Sequence, residues 1–356
     1  MILTTKPFLP PLKEVQEYLE GIWERNWLTN NGPLVQELER QLCAKLRIDN
    51  TLYLTNGTIA IQFALRALKV TGKVITTPFS YVATTSSLVW EGCEPVFVDI
   101  SEDTFNIDPE KIEDAITPNT SAIVATHCFG NPCDIEAIDA IAKQHGLKVI
   151  YDAAHCFGTE FKNASVFAYG DISTTSFHAT KLFHTVEGGA VFTSDADLAR
   201  AIAYMRNFGH DGPERFNGLG INGKNSEVHA AMGLTNLKYV DQILRRRKEQ
   251  FLLYNEFLKE LPVKRQRIQS GTVYNYAYYP IVFEREDMTI RAKKLLEEHK
   301  VLTRRYFYPS LSSLDYVNRT KMVNAESIGS RILCLPLYHE LSDSEIAMIA
   351  EVLNKL

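Results

Sequence analysis

The chain has 356 residues, more than one ordinary hydrophobic core accommodates, so two domains are predicted. Hydrophobic residues make up 45% and charged residues 23% of the chain, as is typical of a soluble globular protein. The net charge of −5 provides no general attraction to nucleic acid, and we expect no nucleic-acid partner.

The sequence contains no pattern typical of a signal peptide, a membrane span or a metal centre. Residues 1–13 lack an apolar segment, and the longest uncharged stretch, residues 74–90, is rich in serine and threonine. The six cysteines include no CxxC pair, and a chain of this length needs no disulfide cross-links. We therefore expect reduced thiols in a cytoplasmic protein, with no membrane association and no metal.

From Thr51 onward, short runs rich in β-branched residues alternate with helical patterns. The predicted strands are residues 52–55, 74–76, 95–99, 122–126 and 148–151, and the predicted helices between them include 59–70 and 135–145. Apolar strands that alternate with helices indicate an α/β fold with a mostly parallel sheet covered by helices on both faces.

The pattern changes in the last third of the chain. Residues 227–258 are predicted to form one long helix or two consecutive ones, and they carry a basic cluster, residues 245–248, which we expect on a solvated helix face or near a subunit interface. A strand at 276–283 and helices at 290–299 and 342–356 follow. We predict a large domain, residues 1–240, and a smaller C-terminal α+β domain, residues 241–356.

Two residues in the large domain suggest a specific chemistry. Lys181 ends a small, polar segment that begins at Ser176, and Asp152 ends a strand-like stretch. A lysine that can form a Schiff base and a carboxylate that can pair with a pyridine nitrogen are what pyridoxal phosphate (PLP) requires of a protein. Taken singly, Lys181 fits a surface lysine better than a catalytic one, and Asp152 fits a helix cap as well as a cofactor ligand.

Neighbouring segments carry further candidates. Asn56-Gly57-Thr58 follows a strand and opens a helix, so it is either a phosphate-binding turn or an ordinary cap. Tyr81 either stacks on a planar ring or packs in the core. His155 either contacts a cofactor or is a structural histidine.

Together, these segments resemble the DegT-type sugar-nucleotide aminotransferases, a branch of the fold type I PLP enzymes. The resemblance covers nearly the whole chain. It rests on the order and spacing of segments 27–33, 55–58, 80–84, 127–132, 152–155, 176–181, 187–189 and 220–222.

The resemblance implies a role for each matching residue. Lys181 would bond covalently to the cofactor, Asp152 would pair with its pyridine nitrogen, and Tyr81 would stack on its ring. Gly57, Thr58 and Ser176 would hold the phosphate. His155 would lie near the ring hydroxyl, at a position where many members have glutamine. Asn222 would reach the cofactor phosphate of the neighbouring subunit. The last role implies a homodimer with shared active sites. The chain departs from the family at Gly223-Lys224, usually aromatic-then-Arg, and at residues 228–231.

The resemblance also implies the reaction. The amino group of L-glutamate would be moved to a nucleotide-linked 4-keto-6-deoxyhexose, most often carried on dTDP, for surface polysaccharides such as O-antigen. The sugar nucleotide is predicted to bind Arg304, Arg305, Tyr306 and Tyr308, because guanidinium groups pair with phosphates and tyrosines can hydrogen-bond a sugar. Amination at C3 of a 3-keto sugar is one alternative, and a non-catalytic regulator with a PLP-type fold is another. Lys181 favours transamination, since family members that lack this lysine are dehydratases.

Overall fold

The computed structural model describes residues 1–356 and has a seven-stranded sheet at the centre of its N-terminal part. The strands of the protein are β1 (Asn50–Leu54), β2 (Lys73–Thr76), β3 (Glu94–Phe97), β4 (Thr120–Thr126), β5 (Lys148–Asp152), β6 (Glu160–Phe161), β7 (Ala164–Ser165), β8 (Ile172–Ser176), β9 (Gly189–Thr193), β10 (Lys264–Arg265), β11 (Thr272–Val273), β12 (Tyr279–Val282) and β13 (Ile332–Leu335). The central sheet has the order β1-β9-β8-β5-β4-β2-β3. Only β9 runs against its neighbours, so the predicted mostly parallel sheet is confirmed.

Eleven α-helices surround the sheets. They are α1 (Leu12–Arg25), α2 (Pro33–Leu46), α3 (Gly57–Ala67), α4 (Val82–Trp90), α5 (Ile135–His145), α6 (Ala196–Met205), α7 (Glu227–Leu237), α8 (Val240–Phe257), α9 (Glu286–Glu298), α10 (Val323–Arg331) and α11 (Asp343–Leu353). None of them combines the length and the apolar character that crossing a membrane requires.

Both faces of the central sheet are buried. Side chains alternate between the faces along a strand, and β4 shows this directly. Ile123 and Ala125 belong to one apolar cluster, whereas Ala122 and Val124 belong to another. Helices therefore cover the sheet on both sides, as the alternating pattern predicts.

The C-terminal part has its own core. Strands β10, β12 and β13 form a small antiparallel sheet. Helix α8 links the two parts, since Val240 and Ile243 pack in the large core and Tyr254 packs in the C-terminal core. The N-terminal residue Ile2 also packs in the C-terminal core, so the residues that form this core are not confined to 241–356.

The stretch predicted as one long helix or two consecutive ones is two helices, α7 and α8. Two other predictions need correction. The strand predicted at 276–283 spans only β12, because Tyr276 has a positive φ of 54° that breaks the extended backbone. The expectation of a fully solvated basic cluster is wrong for Arg247, which is buried and donates from Nη1 to the carbonyl of Ala277 at 2.9 Å. Burial lowers the pKa of Arg247 to about 10.

Candidate active site

A cleft of about 330 Å³ opens where several strands of the central sheet end. Strands β4, β5 and β8 run in the same direction, so their carboxyl ends meet at one edge, where open α/β sheets bind ligands. Segments of the C-terminal part close the other side. The cleft contains seven of the eight residues predicted to bind the cofactor: Gly57, Thr58, Tyr81, Asp152, His155, Ser176 and Lys181.

Asp152 is the last residue of β5, and both of its carboxylate oxygens accept hydrogen bonds. Oδ1 accepts from the N–H of Ala154 at 3.1 Å, and Oδ2 accepts from the hydroxyl of Thr84 at 2.6 Å. No helix begins at Asp152, so the helix-cap alternative does not apply. The carboxylate is buried, held from two sides, and exposed only towards the cleft.

Lys181 lies in the loop between β8 and β9. Small residues in this segment allow the loop to approach the cleft. Its side chain lines the cleft together with Asp152. Burial lowers the pKa of Lys181 below its ordinary value, and the nearby charge of Asp152 partly opposes this effect. A lysine with a lowered pKa is more often the neutral amine, which is the nucleophilic form.

The N-terminus of α3 forms one end of the cleft. Asn56 caps this helix, with its Oδ1 accepting from the N–H of Ile59 at 2.9 Å. A Cβ atom at Gly57 would lie 2.9 Å from the Cβ atom of Ser176, so only glycine permits helix and strand to approach this closely. Gly57, Thr58 and Ser176 thus surround the positive end of a helix dipole, an arrangement that suits a phosphate group.

Tyr81 and His155 lie on other walls of the cleft. The side chain of Tyr81 is 59% exposed, so core packing does not apply to it. The ring of His155 is nearly parallel to those of Phe129 and Phe307, and the three ring centroids lie 5.6–6.1 Å from one another. Burial, and then the charge of Lys181, lower the pKa of His155 well below its ordinary value.

The four predicted sugar-nucleotide residues separate into two pairs. Arg304 and Tyr306 line the cleft, whereas Arg305 and Tyr308 do not. Arg305 forms an ion pair with Glu286 at 2.6 Å, and its guanidinium lies 3.8 Å above the ring of Tyr308. The chain turns at residues 306 and 307, so Tyr308 does not continue along the face that Arg304 and Tyr306 present to the cleft.

Asn222 lies outside this cleft, on an exposed segment that precedes α7. Its Oδ1 atom accepts a hydrogen bond from the ammonium group of Lys224 at 2.7 Å. Because the amide oxygen of Asn222 accepts from Lys224, the N–H₂ group of the same amide points away from Lys224 and can act as a donor.

A model of the DegT/DnrJ/EryC1/StrS aminotransferase family matches residues 12–354. The chain belongs to this family. Its aminotransferases depend on PLP, so the predicted enzyme class and cofactor are confirmed.

Named relatives of this aminotransferase match over nearly their full lengths. It is 45% identical to a dTDP-4-amino-4,6-dideoxy-D-glucose transaminase of Shigella dysenteriae, with 100% of this chain and 99% of the relative covered. A transaminase of the same name from Escherichia coli is 41% identical, with coverages of 99% and 98%. The solved structure of DesI in the presence of its TDP-sugar product superposes with a TM-score of 0.94 at 34% identity, covering 99% of this chain and 92% of that one.

The cleft of this aminotransferase fits PLP by its own geometry. A carboxylate, a lysine, an exposed aromatic ring and a glycine-lined helix N-terminus occupy one cavity. These are the kinds of groups that the pyridine nitrogen, the aldehyde, the ring face and the phosphate of PLP require, respectively.

Sequence reasoning missed other residues of the site. Ser80, Thr84 and Thr126 are buried around Asp152, and Tyr278 and Phe307 wall the cleft beside His155. The spacing of Ser80 and Thr84, one helical turn apart, is a signal that could have linked those two. Thr126 could be found only from the sheet register, in which it pairs with Asp152.

Proposed function

We propose that this aminotransferase moves the amino group of L-glutamate to C4 of dTDP-4-keto-6-deoxyglucose, giving dTDP-4-amino-4,6-dideoxyglucose. The observation that carries the proposal is the end-to-end identity of 45% with a transaminase named for that amino sugar. The similarity to DesI, which was solved with a TDP-sugar product, supports the same class of nucleotide.

Lys181 and Asp152 are the proposed catalytic residues. When bound, PLP supplies an electron-withdrawing ring that stabilises negative charge on the carbon next to the transferred nitrogen. Asp152 would pair with the ring nitrogen and keep it protonated. Nζ of Lys181 would hold the cofactor covalently and, when free, would carry a proton between the two carbons on either side of the transferred nitrogen. The lowered pKa of Lys181 supports this role, because only the neutral amine accepts a proton.

The other cleft residues are proposed to bind and orient the cofactor. Gly57, Thr58 and Ser176 would hold its phosphate, and Tyr81 would lie against its ring. His155 accepts from the N–H of Phe129 through Nδ1, so its Nε2 carries the hydrogen and would donate to the ring oxygen. The family resemblance implies that many members have glutamine at this position. Glutamine would supply an equivalent N–H donor.

Arg304 and Tyr306 are the proposed contacts of the sugar nucleotide. Both line the cleft, and the guanidinium of Arg304 lies 5.8 Å from the ring centroid of Tyr306. No carboxylate pairs with Arg304, so its charge remains available for a diphosphate. Arg305 already pairs with Glu286, and we therefore assign the phosphate contact to Arg304 rather than to both arginines.

A homodimer with shared sites is the proposed assembly. A groove of about 660 Å³ runs from Thr58, at the phosphate end of the cleft, to the exposed side chains of Trp90, Leu219 and Ile221. Such apolar exposure is typical of a surface that a partner covers. A second copy seated there would bring its Asn222 segment towards this cleft, where the free amide N–H₂ group would donate to the phosphate.

The test of the function is spectroscopic. The PLP-loaded protein should be yellow, and L-glutamate should bleach this absorbance, whereas a non-catalytic regulator would stay yellow. Adding dTDP-4-keto-6-deoxyglucose should restore the colour and release the amino sugar. Restoration by a dTDP-3-keto-6-deoxy sugar instead would favour the C3 alternative.

We further place the reaction in the cytoplasm and in the assembly of surface polysaccharides such as O-antigen. The six free cysteines support the cytoplasmic placement.

A further inference from the structure

Three buried hydroxyl groups form a chain that ends on Asp152. The hydroxyl of Thr126 lies 2.9 Å from that of Ser80, which lies 2.8 Å from that of Thr84, which lies 2.6 Å from Oδ2 of Asp152. All three side chains are at most 4% exposed. Buried hydroxyls must find partners, and these three satisfy one another in a single line.

The donor and the acceptor of every hydrogen bond in this chain of three hydroxyls are determined. A carboxylate only accepts, so Thr84 donates to Asp152. The oxygen of Thr84 then accepts from Ser80, and the oxygen of Ser80 accepts from Thr126. Hydrogen bonds aligned in this way polarise one another, and the polarisation is directed at the carboxylate.

Three separate parts of the fold supply the hydroxyls. Thr126 ends β4 and pairs in register with Asp152 on β5. Ser80 lies in the loop after β2, and Thr84 lies in the first turn of α4. The other titratable groups near Asp152 include Lys181, Tyr81, His155, Cys128 and Cys156, and none of them hydrogen-bonds the carboxylate.

We propose that Thr84, backed by Ser80 and Thr126, is a positioning residue that holds Asp152 as a carboxylate and keeps the shared proton on the cofactor's ring nitrogen. With the chain intact, Oδ2 is turned and polarised so that negative charge stays on Asp152. Without it, the proton moves towards the carboxylate and the ring withdraws electrons less strongly. The inference rests on the proposed role of Asp152 in facing the ring nitrogen.

The decisive variant is Thr84→Val, which keeps the shape of the side chain and removes the hydroxyl. The neighbouring Thr85 provides a matched control, because it is equally buried but its hydroxyl has no hydrogen-bond partner. Each variant is loaded with PLP labelled with ¹⁵N at the ring nitrogen, and the ¹⁵N chemical shift reports where the proton lies. Thermal unfolding checks that each variant folds.

We expect Thr84→Val to shift the ¹⁵N signal towards the unprotonated position and to slow the half-reaction with glutamate roughly tenfold, as loss of a hydrogen bond to a charged group implies. Thr84→Ser should restore both, and Thr85→Val should change neither. Ser80→Ala should shift the ¹⁵N signal less than Thr84→Val does, and Thr126→Val should shift it least, because these hydroxyls lie progressively farther from Asp152 along the line. These two variants keep the proposal testable if Thr84→Val does not fold.

Asp152→Asn separates this inference from the proposed function. If Asp152→Asn shifts the ¹⁵N signal but Thr84→Val, Ser80→Ala and Thr126→Val leave it unchanged, the hydroxyl chain has no such role and the function stands. If Asp152→Asn itself leaves the signal unchanged, Asp152 does not face the ring nitrogen and both the role and the inference fail.

Discussion

The backbone N–H of Phe129 donates a hydrogen bond to Nδ1 of His155 at 3.2 Å, and the two rings lie nearly parallel with their centroids 6.1 Å apart. A ring nitrogen that accepts carries no hydrogen, so the neutral imidazole is protonated at Nε2. Burial holds the pKa of His155 well below its ordinary value. His155 is therefore a neutral N–H donor of fixed tautomer at physiological pH.

Two substitutions test this donor. His155→Gln keeps an N–H group and should retain most cofactor affinity, whereas His155→Phe keeps the ring packing but should weaken PLP binding roughly tenfold. Cofactor titration by fluorescence measures both. Equal affinities for the two variants would contradict the donor role.

The lowered pKa of His155 also makes a pH prediction. The ring stays neutral as the pH falls through its ordinary value of about 6.5, so His155 should contribute no inflection there to the rate. The pH–rate profiles of the wild type and His155→Gln should have the same shape. An inflection near pH 6.5 that disappears in the variant would show that His155 titrates.

Replacing Lys181 should abolish turnover without unfolding the protein. Lys181→Ala removes the nucleophile and the proton carrier, and general acid–base catalysis alone contributes roughly 10²–10⁴-fold. Lys181→Arg is the matched variant, because it keeps a long basic side chain that stays protonated and so cannot act as nucleophile or base. Single-turnover kinetics with glutamate should show both variants inactive, with circular dichroism unchanged. Near-normal turnover in either variant would refute the assignment.

Asp152→Asn should bind PLP but turn over poorly. An amide still accepts from the N–H of Ala154, so the local structure should persist. It carries no charge to stabilise a protonated pyridine, so the electron-withdrawing ring is weakened. An unchanged kcat would mean that Asp152 has only a structural role.

Arg304→Ala should raise the KM for the sugar nucleotide by about 10-fold or more, with little effect on the KM for glutamate. Arg305 is the adjacent control, because its charge is engaged by Glu286 outside the cleft. Steady-state kinetics on both variants separates the two positions. Equal increases for both variants, or for both substrates of Arg304→Ala, would contradict the assignment.

Mixing two inactive variants tests the shared site. Lys181→Ala subunits carry an intact Asn222, and Asn222→Ala subunits carry an intact Lys181. If Asn222 donates to the partner's cofactor phosphate, mixed dimers contain one complete site and should regain part of the activity. Native mass spectrometry verifies that mixed dimers form. Activity that does not return in verified mixed dimers would exclude the shared site.

The sequence alone was sufficient for the fold class, the enzyme class and the cofactor. Alternating strands and helices imply a parallel sheet whatever the details of packing, because crossover connections demand it. The spacing of Asp152 and Lys181 relative to the neighbouring motifs supports the cofactor, since each motif is a local turn whose backbone is set by nearby residues. The helix cap at Asn56 and the glycine at position 57 belong to the same local chemistry.

Tertiary structure alone decided which of these side chains meet. Thr126 reaches Asp152 through the register of β4 and β5, and Ser80 and Thr84 reach it through a loop and a helix that no short pattern aligns with β5. The choice between Arg304 and Arg305 depends on how the segment that carries them packs beside the cleft. Such contacts join residues that are far apart in the chain, so they are determined by how sheets and helices pack and not by local sequence.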